Sequence, residues 1–168
     1  RLGNFTQQEV KELYQQHTTE TGQAFATEIY PALWEDTKGQ PWLVNALAYE
    51  MSWKNRALRD RTINITLEHY QAARESLIRS RATHLDQLAD KLKEPRVHRV
   101  ISAMLESEEI EADNIVDDDL QYLVDLGLII RKPTLKISNR IYQEIIPREL
   151  TTVTQDIIVN QEQSWYLT

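Results

Sequence analysis

The chain has no cysteine. That removes disulfides and thiolate metal sites from consideration and is compatible with a reducing compartment. Glycine and proline are scarce as well, with four and five copies in 168 residues. An all-β fold built on many tight turns is a poor match to so few turn formers. No apolar run approaches the roughly 20 residues of a membrane-spanning helix, and no signal-peptide pattern opens the sequence. A cytoplasmic location is expected by default. No Gly-rich loop followed by Lys-Ser/Thr is present, so the chain carries no phosphate cradle of its own. No Gly-x-Ser-x-Gly elbow occurs, and no pair of carboxylates stands apart as an acid–base couple. His17, His69, His84 and His98 are isolated from one another, without metal-ligand spacing on a helical face. Each is read as a surface or packing residue. Catalysis by this chain alone is not expected.

What is present is helical patterning. A hydrophobic fraction of 41% with 27% charged residues suits one or two small soluble domains. Thr6-Gln7-Gln8-Glu9 has the form of a capping box, with Phe5 placed to staple the helix start and Val10, Leu13, Tyr14 and His17 following at helical spacing. A second helix runs around Phe25, Ile29, Leu33 and Trp34, kinked or started by Pro31. Gly39-Gln40-Pro41 stops it and begins the next, since glycine suits a left-handed C-cap and proline a first helical turn. From Trp42 to Trp53 the residues are apolar nearly all round, which predicts a centrally buried helix. Residues 54–61 read as a connection. Thr66 then caps a helix through Leu67, Tyr70, Ala73, Leu77 and Ile78. Asn4-Phe5-Thr6 and Asn64-Ile65-Thr66 match glycosylation acceptors, but the two threonines are better explained as helix caps.

Further helices are expected at Leu85–Leu92 and Val97–Leu105, broken by Pro95, and a short one at Leu120–Val124 that Gly127 ends. Leu128 to Arg131 and Leu135 to Ile137 flank Lys132-Pro133-Thr134 as strand, turn and strand. Ser138 or Asn139 caps a last helix that Pro147 kinks or ends. The expected fold is mainly α: a helical bundle over residues 1–82, a winged-helix domain with a small β-hairpin over 83–150, and a mixed tail or linker over 151–168.

Charge is distributed unevenly around a formal total of −7. Glu106, Glu108, Glu109, Glu111, Asp113, Asp117, Asp118, Asp119 and Asp125 lie in a stretch without Lys or Arg. Asp117–Asp119 compensate a helix dipole, but they also stand where a recognition helix would meet phosphates, so groove reading by that helix is not expected. Lys54, Arg56, Arg59, Arg61, Arg74, Arg79 and Arg81 form the opposite pattern. A solvated face, an interface with an acidic surface (the 106–125 stretch included) and a phosphate-facing patch all remain open for it. Arg131, Lys132, Lys136 and Arg140 add a basic hairpin able to touch a nucleic-acid backbone.

The run Trp34-Glu35-x-Thr37-x-Gly39-Gln40-Pro41-Trp42-Leu43-Val44-Asn45, preceded by Phe5-Thr6-x-x-Glu9-Val10, resembles the lid that follows the P-loop domain in AAA-like, STAND-related ATPases. Leu120-x-Tyr122-Leu123-Val124-Asp125-Leu126-Gly127 and Ile137-Ser138-Asn139-x-Ile141-Tyr142-x-Glu144-x-Ile146-Pro147 resemble the winged helix of the same family. The likeness covers about residues 1–151. It implies an upstream P-loop ATPase domain in the same polypeptide, ATP as the cofactor of that parent protein, and a Gly-x-Pro turn over the base or sugar, here Gly39, Gln40 and Pro41. Relatives often place a phosphate-sensing Arg after the proline, whereas this chain has Trp42. A downstream nuclease-like domain is a further implication. A DNA-binding winged-helix module and a protein-interaction module using the acidic face are the alternatives.

Overall fold

The computed structural model describes residues 3–80, 83–106 and 117–166. Arg81, the carboxylates Glu108, Glu109, Glu111 and Asp113, and Leu167 lie outside them, as do the side chains of His84 and Leu85. The described residues form eight α-helices and one two-stranded antiparallel sheet, a mainly α fold with a small hairpin. Contacts divide the chain into a first unit, Arg1–Arg81 with Asn139–Ile141, and a second, Ala82–Ser138 with Tyr142–Thr168. No described helix is long and apolar enough to cross a membrane.

The first unit begins with α1 (Gln7–Thr21), whose N-terminus is closed by the Thr6–Glu9 capping box: Glu9 N–H donates to Thr6 Oγ1 at 3.1 Å and Thr6 N–H to Glu9 Oε1 at 3.0 Å. Gly22, at φ +78°, ends it. Then come α2 (Ile29–Thr37), α3 (Pro41–Tyr49), a π-helical turn at Glu50–Lys54, a 3-10 turn at Arg56–Arg59 and α4 (Leu67–Arg79). Thr66 caps α4 as Thr6 caps α1, so both threonines of the glycosylation-like triplets serve helix starts. Val10, Tyr14, Ile29, Leu33, Leu47, Tyr70 and Leu77 fill the core.

Buried polar groups stitch the unit together. Tyr14 donates its hydroxyl to the Val44 carbonyl at 2.9 Å. Gln23, wholly buried, gives its amide to the carbonyls of Leu58 and Ile63, both at 2.8 Å. Asp36, 5% exposed, accepts the Tyr70 hydroxyl at 2.7 Å and faces Arg74 Nε at 3.1 Å. A carboxylate so far from water needs both partners, because an uncompensated buried charge is far costlier than the pair is favourable.

Trp42–Trp53 is not the centrally buried helix expected. α3 ends at Tyr49 and the chain widens into the π-helical turn. Leu43, Val44, Leu47 and Met51 are fully buried, yet Tyr49 is 56% and Trp53 49% exposed. Within this unit the helix is covered on one side only, and the uncovered side carries amphipathic rings instead of charges.

The second unit packs α5 (Thr83–Leu92), α6 (Pro95–Glu106) and α7 (Asp117–Asp125) before β1 (Ile129–Ile130) and β2 (Lys136–Ile137). The strands pair Ile129 with Ile137 and Ile130 with Lys136. Gly127, at φ +78°, turns the chain out of α7, where Leu128 N–H reaches back to the Leu123 carbonyl at 3.0 Å. Leu120, Leu123, Val97, Val100 and Ile101 are buried here.

α8 (Arg140–Tyr166) runs through Pro147, where the sequence allowed either a kink or an end, and helix continues over residues expected to form a mixed tail. The buried stripe Ile141, Ile145, Ile146, Leu150 and Val153 keeps its helical spacing across the proline. Proline removes one backbone donor, and the carbonyl this leaves belongs to the exposed turn at Gln143, open to water. After Thr154 the described side chains face solvent, Ile157, Ile158 and Val159 among them.

Two outcomes follow. Asp36→Ala should destabilise the first unit by about 2–4 kcal/mol in urea unfolding, and Tyr70→Phe by about 1–2 kcal/mol, because the first takes a partner from both Tyr70 and Arg74 and the second breaks a single hydrogen bond. In the second unit the Glu94 carboxyl sits below its usual range, held first by the Tyr122 hydroxyl at 2.6 Å and then by Lys91 at 3.1 Å. Its folded pKa being the lower one, this contribution is complete above the ordinary glutamate value of about 4.3 and is lost as pH falls through the folded value. Melting temperatures taken from neutral pH into that acid range should fall less steeply for Tyr122→Phe than for the parent chain.

Candidate functional site

The turn between α2 and α3 is built residue by residue from its own hydrogen bonds. Thr37 gives its hydroxyl to the Leu33 carbonyl at 2.8 Å and accepts Gly39 N–H at 3.2 Å. Lys38 takes φ +46° and Gly39 φ +76°, two left-handed residues in succession. Lysine carries strain there, offset locally by the Lys38–Glu35 pair at 3.0 Å and a position 5.7 Å over the Trp34 ring. Gln40 then caps α3 with its side-chain oxygen on Leu43 N–H at 2.8 Å, and Pro41 occupies the first helical position.

Gly39, one of the three residues that the resemblance places over the base or sugar, is buried. Its carbonyl accepts Phe5 N–H at 2.8 Å, so the segment ahead of α1 lies directly across it. A Cβ at this position would stand 1.9 Å from the Phe5 carbonyl oxygen and 3.1 Å from the Trp34 ring. Glycine is required by the fold, and the turn is clamped. Gln40 and Pro41 are half-buried and form its accessible edge. Beside it, α1 and α2 enclose a groove of about 500 Å³ lined by Gln7, Val10, Lys11, Tyr30, Pro31 and Trp34.

The basic segment splits into different fates. Arg61 donates to the Ser52 and Leu58 carbonyls and to Gln23, and Arg74 is the partner of Asp36. Lys54 pairs with Glu50 at 3.0 Å. Arg59 lies 4.0 Å from the Trp53 ring centroid and donates Nε–H to the Trp53 carbonyl at 2.7 Å. Arg56 and Arg79 face solvent.

The acidic start of α7 and the basic hairpin meet inside the second unit, where Arg131 pairs with Asp117. Between them runs a groove of about 930 Å³ lined by Leu120, Val124, Ile130, Lys132, Pro133 and Leu135. Asp117 and Asp118 remain exposed at the end of α7 that a groove-reading helix would present to phosphates. Arg131, one of the hairpin cations expected to face a backbone, is already neutralised.

The histidines do packing and capping work where described. His17 bonds Gln23 at 2.8 Å, His69 completes the Thr66 capping box, and His98 bonds Thr154 at 3.1 Å. Among the described residues no group of His, Cys, Asp or Glu is arranged to hold a metal. The feature missed from sequence is the exposed pair Tyr49 and Trp53. Its signal was available: Trp42, Asn45, Tyr49 and Trp53 recur on one helical face.

No family model, curated protein or solved structure matches the chain.

Gly39→Ala tests whether the glycine serves the fold. It should cost at least about 2 kcal/mol of stability with no nucleotide present, from the left-handed backbone and the displaced Phe5 segment together. Chemical denaturation of the chain alone measures this.

Proposed function

We propose that this chain is the lid and winged-helix portion of a larger AAA-like, STAND-related ATPase, with no catalytic activity of its own. ATP is held by an upstream P-loop domain of the same polypeptide, and the edge formed by Gln40 and Pro41 faces its base or sugar. The parent protein acts in the cytoplasm, and a nuclease-like domain follows the winged helix.

One observation carries this reading: a clamped, glycine-dependent turn presents a proline-led helix start at a half-buried edge. A helix N-terminus is electropositive and favours anionic or dipolar ligands. Clamping matters because a lid must hold its contact edge in one geometry while moving as a body. The order of the second unit, three helices and then an antiparallel hairpin, supports the winged-helix half of the proposal. The carboxylates at the start of α7 and the Arg131–Asp117 pair favour a packing role for that module over groove reading. Trp42 in the place of a phosphate-sensing arginine leaves the phosphates to the upstream domain.

Isothermal calorimetry tests the division of labour. The chain alone should show no micromolar ATP binding, whereas the polypeptide extended through the residues encoded upstream should bind ATP. In that longer protein Pro41→Ala should weaken binding about fivefold, equivalent to ~1 kcal/mol, without lowering its melting temperature. Micromolar ATP binding by the chain alone would overturn the proposal.

A further inference from the structure

α3 and the π-helical turn behind it turn one face to solvent. Tyr49 and Trp53 are 56% and 49% exposed on it, with Trp42 half-buried and Asn45 exposed on the same face. Trp53 is held in place. The Arg59 guanidinium covers its ring, Arg59 Nε–H is bound to the Trp53 carbonyl, and Arg61 holds the neighbouring Ser52 carbonyl at 2.5 Å. π-helical turns are rare and concentrate at functional sites. Here the widening is fastened by two arginines and leaves a tryptophan in water.

The surroundings are cationic. Residues 50–61 contain Lys54, Arg56, Arg59 and Arg61 against Glu50, which pairs with Lys54, and Asp60. Residues 1–81 carry ten Lys and Arg against ten Asp and Glu, while residues 82–168 carry nine against sixteen. The excess negative charge of the chain therefore belongs to the second unit, and an anion approaching Trp53 does not meet it in the first.

We infer that this face binds single-stranded nucleic acid. Successive bases stack on Tyr49 and on the part of the Trp53 ring that Arg59 leaves exposed, and the backbone phosphates meet Arg56 and the outer edge of Arg59. Planar rings beside exposed cations are what an unpaired strand requires, since every base offers a π-face and every linkage a charge. A duplex hides its base faces from such a platform. An acidic peptide would satisfy the cations and leave the rings without a planar partner. The inference stands apart from the lid reading, because no nucleotide at Gln40 and Pro41 is needed for it.

Fluorescence anisotropy of the whole chain with a labelled oligothymidylate of about 20 nucleotides tests it. Saturable binding is expected at low salt. Trp53→Ala and Tyr49→Ala should each weaken it about tenfold, with Trp53→Phe restoring most of the loss. Arg56→Glu should weaken it too, and a fourfold rise in salt should lower affinity roughly tenfold. Lys132→Glu in the hairpin should have no effect. Thermal melts check that these surface variants stay folded. Absent binding, equal affinity for duplex DNA or polyglutamate, or loss on Lys132→Glu with Trp53→Ala unaffected would each overturn the inference.

Discussion

A single backbone hydrogen bond organises the first unit: Phe5 N–H to the Gly39 carbonyl. It lays the segment ahead of α1 over the turn that starts α3, so three helices are registered against one another at one point. The bond is possible only because residue 39 has no side chain, since a Cβ would collide with the Phe5 carbonyl. The capping box immediately follows, fixing the direction in which α1 leaves the clamp. Tyr14, two turns further along, then reaches the Val44 carbonyl on α3. The position of the Gln40–Pro41 edge is thus a consequence of packing at the start and the middle of α1, and any ligand meeting that edge meets a preorganised surface.

Local signals were the most legible part of this chain. Both threonine caps, the glycine stops at Gly39 and Gly127, and the hairpin around Lys132-Pro133 follow from rules acting over a few residues. The end of α8 did not yield to the same reasoning. A proline and a run of β-branched residues both argue locally against helix, and Ile141, Ile145, Ile146, Leu150 and Val153 override them through burial. The apolar character of Trp42–Trp53 misled in the opposite direction. Hydrophobic content announces a helix that something covers, and it cannot say how much of the cover this unit supplies. Of the candidate site, sequence located the turn but not its clamp, because Phe5 and Gly39 are neighbours only in the fold.

Charge shows the same limit. As a list, the basic residues from Lys54 to Arg79 form one patch. In the fold they are divided among a buried ion pair, carbonyl ligation, an aromatic stack and open solvent. Arg61 and Arg74 are structural: each satisfies groups that burial would otherwise strand. A similar cancellation joins Asp117 and Arg131, so the acidic helix and the basic hairpin, opposed as ligand surfaces, partly neutralise each other. Counting cations along a sequence overstates what is available for binding, and the correction comes from asking which carbonyls and carboxylates have already claimed them.

The aromatic face is where that accounting leaves a remainder. Exposing an isolated apolar side chain is ordinary. Tyr49 and Trp53 differ because two arginines are bound to the very turn that displays them. Arg61 satisfies interior carbonyls and Arg59 the Trp53 carbonyl, and the entropic cost of fixing these long side chains is met within the fold before any ligand arrives. A ring restrained in this way loses little further freedom when a planar partner stacks on it, which is the condition under which exposed aromatic surface contributes most to binding. The restraint on Trp53 and the cations beside it therefore belong to one explanation, in which the π-helical turn, the aromatic rings and the local charge serve the same surface.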